Sequence, residues 1–95
     1  MAVGAQVANN ADAGRYEVSL DGEPAGFAEY RLRDGRVIFA HTEVDSAFEG
    51  HGLGSSLARG ALDDVRNRGL QAVPLCPFIA AYIERHPEYQ DLVAG

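Results

Sequence analysis

The segment Glu49-Gly50-His51-Gly52-Leu53-Gly54, followed by Ser55 and Ser56, brings together what a pyrophosphate needs. Such a group is held by several backbone N–H donors aimed at one place, with no side chain blocking its approach. A helix N-terminus supplies unpaired donors and a favourable dipole. Gly50, Gly52 and Gly54 leave the backbone open and tolerate unusual φ. The hydroxyls of Ser55 and Ser56 add donors in the first helical turn, and His51 either caps the helix or touches phosphate. The alternative is a glycine-rich strand-to-helix turn with no ligand. Two other phosphate loops are excluded. The Walker pattern needs a Lys-Ser/Thr pair after its last glycine, where this chain has Ser55-Ser56. The Rossmann fingerprint spaces its glycines G-x-G-x-x-G, whereas here they run G-x-G-x-G.

A second set of residues suits proton or acyl chemistry. His41 and Glu43 stand two apart on a strand-like segment and so share a face. The imidazole titrates near neutrality, which suits base chemistry. Cys76 is the single thiol. Activated, with His41 as its candidate partner, it would be a nucleophile; otherwise it is a small buried hydrophobe. Three scattered histidines and one cysteine form no metal pattern.

The elements that must position these groups follow from periodicity. Residues 15–20 and 27–33 alternate polar and apolar, with a turn cluster at 21–26 and an Asp34-Gly35 hairpin signal. Residues 36–44 form a third, central strand. The period then changes. Leu53, Leu57, Ala61, Leu62 and Val65 recur at helical spacing up to Gly69. Residues 70–76 make a short strand whose Pro74 lacks an N–H, so it lies at an edge or splays from its neighbour. Pro77 opens a second helix, which His86-Pro87 ends. The order is β-β-β-α-β-α: an α+β fold with an antiparallel meander followed by β-α-β-α and a splayed parallel strand pair. Residues 1–13, small and polar, are expected to be a flexible tail, and 14–95 a single domain.

The run Val44-Asp45-Ser46-Ala47-Phe48-Glu49-Gly50-His51-Gly52-Leu53-Gly54-Ser55-Ser56-Leu57 resembles the acyl-CoA signature of the GNAT N-acetyltransferase superfamily, Gln/Arg-x-x-Gly-x-Gly/Ala between a strand and a helix. Glu49 stands at the Gln/Arg position, a departure, since a carboxylate beside phosphate is unfavourable unless it points away. His41-Thr42-Glu43-Val44, Leu75-Cys76-Pro77-Phe78 and the stretch from Tyr82 to Tyr89 are similar to a minimal GNAT-like subfamily, so the resemblance covers about residues 15–92. It implies acetyl-CoA as cosubstrate in a gap between the third and fourth of the strands read above, and as acceptor an amine: a protein lysine, a polyamine or a small molecule. It implies backbone N–H groups around Val44 for the acetyl oxygen, and Glu43 as a possible general base. It implies Tyr82 as the acid near the CoA sulfur, and Pro77 and Phe78 against the pantetheine arm or the core. The helices with which larger members enclose an amine are missing at this length. A CoA-binding module without turnover, and an interaction domain that has lost the ligand, are the alternatives.

Composition bounds the rest. Fourteen acidic against eight basic residues give a net charge of −6, which argues against nucleic acid or an anionic membrane as partner. A lone cysteine and a start with neither a basic region nor an apolar run point to the cytoplasm, and no segment approaches a membrane span. The small core is compatible with a monomer or a weak homodimer.

Overall fold

In the computed structural model, which describes residues 4–48 and 50–94, four consecutive strands form an antiparallel meander. They are β1 (Ala5–Asn10), β2 (Arg15–Leu20), β3 (Glu23–Arg33) and β4 (Arg36–Val44). Helix α1 (Leu53–Asn67) crosses over to β5 (Gln71–Pro74), which pairs parallel to β4 at the end of the sheet. Helix α2 (Pro77–Arg85) and a 3-10 turn (Pro87–Leu92) complete the chain. The α+β architecture expected from periodicity is the one found.

The hairpins follow from their turn residues. Asp21-Gly22 and Asp34-Gly35 both take two successive positive φ values, 50° and 85°, then 51° and 75°. These are type I′ turns, whose twist matches the strands they join. The turn cluster at 21–26 is therefore shorter than expected, and β3 begins at Glu23. Pro24 is accommodated there because the β2–β3 register shifts between Val18 and Ser19.

Residues 5–13 are not a tail. Residues 5–10 are the edge strand β1, paired from Ala5↔Leu20 to Asn10↔Arg15, and residues 11–13 are a 3-10 turn. The reason lies across the molecule. A Cβ on Gly60 of α1 would meet the Val7 side chain at 2.7–2.9 Å. The missing side chain leaves a notch that Val7 fills, so β1 gains tertiary packing that its own polar composition does not announce.

Helix α1 presents Leu57, Ala58, Ala61, Leu62 and Val65 to Tyr16, Val18, Ala28, Val37 and Phe39 of the sheet, all buried. The buried Tyr16 hydroxyl donates to Asp64 at 2.7 Å. Helix α2 and the final turn pack beside α1. Phe78 lies against Gly54, the Tyr89 hydroxyl donates to Asp63 at 2.7 Å, and Arg66 pairs with Asp91 at 2.9 Å. The opposite face of the sheet is open, with Glu29, Arg31, His41 and Glu43 exposed. An antiparallel sheet tolerates one solvated face.

One irregularity decides where the polar residues of β4 point. Tyr30 pairs with Phe39 and Glu29 with His41, which leaves Ala40 as an extra residue in β4. Val37 and Phe39 face α1; past the bulge the parity inverts. Thr42, opposite the buried Ala28, and Val44, packed against the core, now face inward. His41 and Glu43 are turned to the open face.

Candidate functional site

The glycine loop forms the start of α1. Gly52 is the N-cap residue, at φ 68°, with no side-chain cap. The first α-helical bond runs from Ser56 N–H to the Gly52 carbonyl at 3.1 Å. The N–H groups of Leu53, Gly54 and Ser55 therefore precede the helical ladder, at the positive end of a fifteen-residue dipole. Gly50 is also left-handed, at φ 87°. Gly54 serves a different purpose. A Cβ there would sit 2.7 Å from the Phe78 ring, so its absence lets the two helix starts close together. Leu53 is buried and anchors the turn, while His51 and Ser55 are exposed and Ser56 half-buried. Glu49 lies outside the described residues.

Ser55 and Ser56 line a cavity of about 350 Å³ with Gly52, Arg59, Gly60, Asp63 and Ala5. Arg59 was not singled out from sequence. Its signal was its position one turn beyond Ser55 on the same helix face. The Tyr82 hydroxyl beside it, first, and then the nearby negative charge raise the affinity of the guanidinium for its proton.

The parallel pair splays as Pro74 foretold. The β4–β5 ladder covers Arg36↔Gln71 to Phe39↔Pro74 and does not reach the last five residues of β4. Beyond it, Cys76 N–H donates to the Phe39 carbonyl at 3.0 Å, and the Cys76 thiol donates to Thr42 Oγ1 at 3.2 Å. Cys76 is buried at the N-cap of α2, and Pro77 follows it as the first helical residue. Burial alone would push its thiol up. The Thr42 hydroxyl and the backbone N–H groups of Ile79 and Phe78 outweigh burial together, so the net shift is downward. Leu75 and Phe78 are the large apolar side chains left exposed beside this opening, at 67% and 42%.

His41 and Glu43 do come together, with Nε2 and Oε1 3.6 Å apart and both side chains more than half exposed. The bulge at Ala40 puts them on the open face, so the partner of Cys76 is Thr42, not His41. The expected His41–Cys76 pair is corrected in this respect. Glu43 and Val44 border a cavity of about 510 Å³ on that face. Tyr82 is buried, its ring stacked on His86 with centroids 3.9 Å apart and 16° between planes. Its hydroxyl reaches Arg59 of α1. The sequence-selected residues thus form two groups. The loop, Cys76, Pro77, Phe78 and Tyr82 gather where α1, α2 and β5 begin or meet, while His41 and Glu43 lie across the sheet. Among the described residues, no group of three His, Cys, Asp or Glu side chains is arranged to hold a metal ion. None of their helices is long and apolar enough to cross a membrane.

Comparison with known proteins bears on the family and the fold. The profile of the GCN5-related N-acetyl-transferase family matches residues 15–92. Over 56 residues, the chain is 40% identical to Protein NATD1 of Xenopus tropicalis and to that of Mus musculus, covering 59% of this chain and 51% of each relative. The chain thus spans about half the length of these relatives. The NMR solution structure of a GCN5-like protein from Staphylococcus aureus superposes with a TM-score of 0.71 at 20% identity, covering 98% of this chain and 91% of that one. The crystal structure of the ribosomal-protein-S18-alanine N-acetyltransferase of Escherichia coli superposes with a TM-score of 0.61 at 18% identity, over 90% of this chain and 53% of that one. At these identities the two structures speak to the fold.

Proposed function

Given that the chain belongs to the GCN5-related N-acetyltransferase family, we propose that it transfers an acetyl group from acetyl-CoA to an amine. The observation that carries this reading is the uncapped, glycine-opened start of α1 beside the end of the β4–β5 ladder. That arrangement offers backbone donors for a pyrophosphate and, next to them, an opening between strands for an extended thioester arm. The residues fit the ligand: Gly54 has no side chain, Phe78 and Leu75 give the opening an apolar rim, and Arg59 adds positive charge to the wall of the cavity beside Ser55 and Ser56.

Acetyl-CoA supplies the activated acyl group. In this reading the protein supplies position and proton transfer. Backbone N–H groups of β4 near Val44 meet the developing negative charge on the carbonyl oxygen. Glu43, paired with His41, takes the proton that an ammonium must lose before its nitrogen can bond to the acyl carbon. Tyr82 or Cys76 would give a proton to the sulfur as the C–S bond breaks, and would be reprotonated by the second proton that the nitrogen loses on becoming an amide. The products are the acetamide and the free CoA thiol. Isothermal titration with acetyl-CoA, with amide-shift mapping, tests the binding. Saturable heat with shifts in residues 50–56 is expected, and the absence of both rejects the reading.

The placement of His41 and Glu43 on the face opposite Thr42 and Cys76 favours a second reading, a CoA-binding module without turnover. Slow thioester loss unaffected by His41→Ala, Cys76→Ser and Tyr82→Phe selects it.

A further inference from the structure

The larger cavity, about 510 Å³, lies on the open face of the sheet and is not part of the glycine-loop site. Its lining includes a row that runs across three strands: Glu17 of β2 is in register with Phe27 of β3, and Phe27 with Glu43 of β4. Residues in register across antiparallel strands point to the same face. Two strand spacings place the Glu17 and Glu43 backbones about 10 Å apart, with the aromatic ring between them. Carboxylate, ring, carboxylate is an arrangement for a flexible chain charged at both ends. Its methylenes would rest on the ring and each ammonium would meet an acid.

The protein already places a cation in this row. The Arg15 guanidinium carbon lies 4.7 Å from the Phe27 ring centroid, and its Nε donates to Glu17 at 2.8 Å. Arg15 comes from the same face of β2 and fills the Glu17 end of the cavity with the interactions an organic ammonium would make. At the other end Asp45 adds a third carboxylate beside Glu43, its Oδ1 accepting from Ala47 N–H at 2.9 Å. His41 is the neighbour of Glu43 on that side. The lining therefore carries three carboxylates against one guanidinium, and that guanidinium sits on a half-exposed side chain able to swing away. Glu17 is held well ionised, first by its bond from Arg15 and then by that from Asn10.

We propose that this cavity is the acceptor site and that its ligand is a linear aliphatic diamine or polyamine, lying over Phe27 between Glu17 and Glu43. As an acceptor assignment it rests on the acetyltransferase reading above; as a binding site it stands apart from it. The ammonium at Glu43 gives up its proton to become the nucleophile. The ammonium at Glu17 stays charged and fixes the register of the chain. Arg15 is an internal competitor for that second position.

The test is amide-shift titration of the isotope-labelled protein with 1,4-diaminobutane, and with 1-butylamine as the single-charge control. Saturable shifts confined to Ser19, Gly26, Phe27, Val44 and Asp45 are expected, with the diamine at least tenfold tighter. Glu17→Gln should reduce the diamine to the level of butylamine, whereas Arg15→Gln should tighten it severalfold. Both side chains are partly solvated, and an unchanged shift pattern away from the cavity shows that each variant is folded. Equal affinity for the two amines, shifts spread over all surface carboxylates, or weaker binding by Arg15→Gln overturns the proposal. Acetyl-CoA is titrated separately. Shifts at 50–56 without diamine binding reject this site alone, whereas diamine binding without acetyl-CoA binding rejects the acetyltransferase reading and keeps the cavity.

Discussion

The start of α1 and the second half of β4 lie a few residues apart in the chain but are built on opposite principles. At Gly50–Gly54 the proposed functional groups are backbone N–H donors, and side chains matter chiefly by their absence. In β4 they are side chains, and their use depends on which face of the sheet they occupy. One inserted residue, Ala40, reverses that choice for Thr42, Glu43 and both their neighbours. A backbone site is robust to register and sensitive to any added Cβ; a side-chain site on a strand is the reverse.

Inserting an alanine between Glu29 and Tyr30 gives Ala40 a partner and attacks the second principle directly. Unbroken alternation on both strands would turn Glu29, His41 and Glu43 toward α1 and expose Ala28, Thr42 and Val44. Burying these ionisable groups should cost at least about 3 kcal/mol, read as a collapse of the thermal midpoint by circular dichroism. Glu43→Gln keeps the register and removes the proposed base. Its kcat should fall about 100-fold with acetyl-CoA affinity unchanged, and equal loss of affinity would place Glu43 at the cofactor instead. Gly54→Val tests the first principle, since the new side chain must displace Phe78. Acetyl-CoA affinity should drop about tenfold by calorimetry, and an unaltered affinity would show that this close approach is dispensable.

Two smaller effects calibrate the frame that holds both regions. Tyr16→Phe removes the hydroxyl bonded to Asp64 and should cost about 1 kcal/mol in urea unfolding. Burial first, then the bond to Asp64, raises the Tyr16 pKa above its ordinary 10.0. A raised folded pKa means stability that is complete below the unfolded value and lost above it. The wild type should therefore weaken as pH rises past 10, with a shallower slope in Tyr16→Phe. Thr42→Val removes a group that lowers the Cys76 thiol. Alkylation at neutral pH should slow by a few-fold, with the titration midpoint moved upward.

The same contrast explains what the sequence made legible. The glycine loop, the Asp-Gly hairpin and the Pro74 splay each state a backbone requirement in the residues that meet it, so they can be read locally. The bulge at Ala40 cannot, because it is a relation between β4 and β3, and alanine fits a bulge or a regular strand alike. Strand β1 was missed for a similar reason: its packing partner is the Gly60 notch, fifty residues on. Arg59 was overlooked because a charged residue on an amphipathic helix reads as solvated surface until its neighbour, Tyr82 on another helix, is known.

The order of strands in the sheet, identical to their order in the chain, has a consequence for how the molecule assembles and breathes. The first three pairings join sequence neighbours through short connections, so their closure entropy is small. The β4–β5 pairing is different. It must wait for α1 to be laid down, and it is made by four residue pairs. The β5–α2 unit should therefore join the sheet last and leave it first, showing the fastest sub-global hydrogen exchange of the paired strands. A gap whose far wall is joined to the sheet by this short ladder should widen before the meander opens.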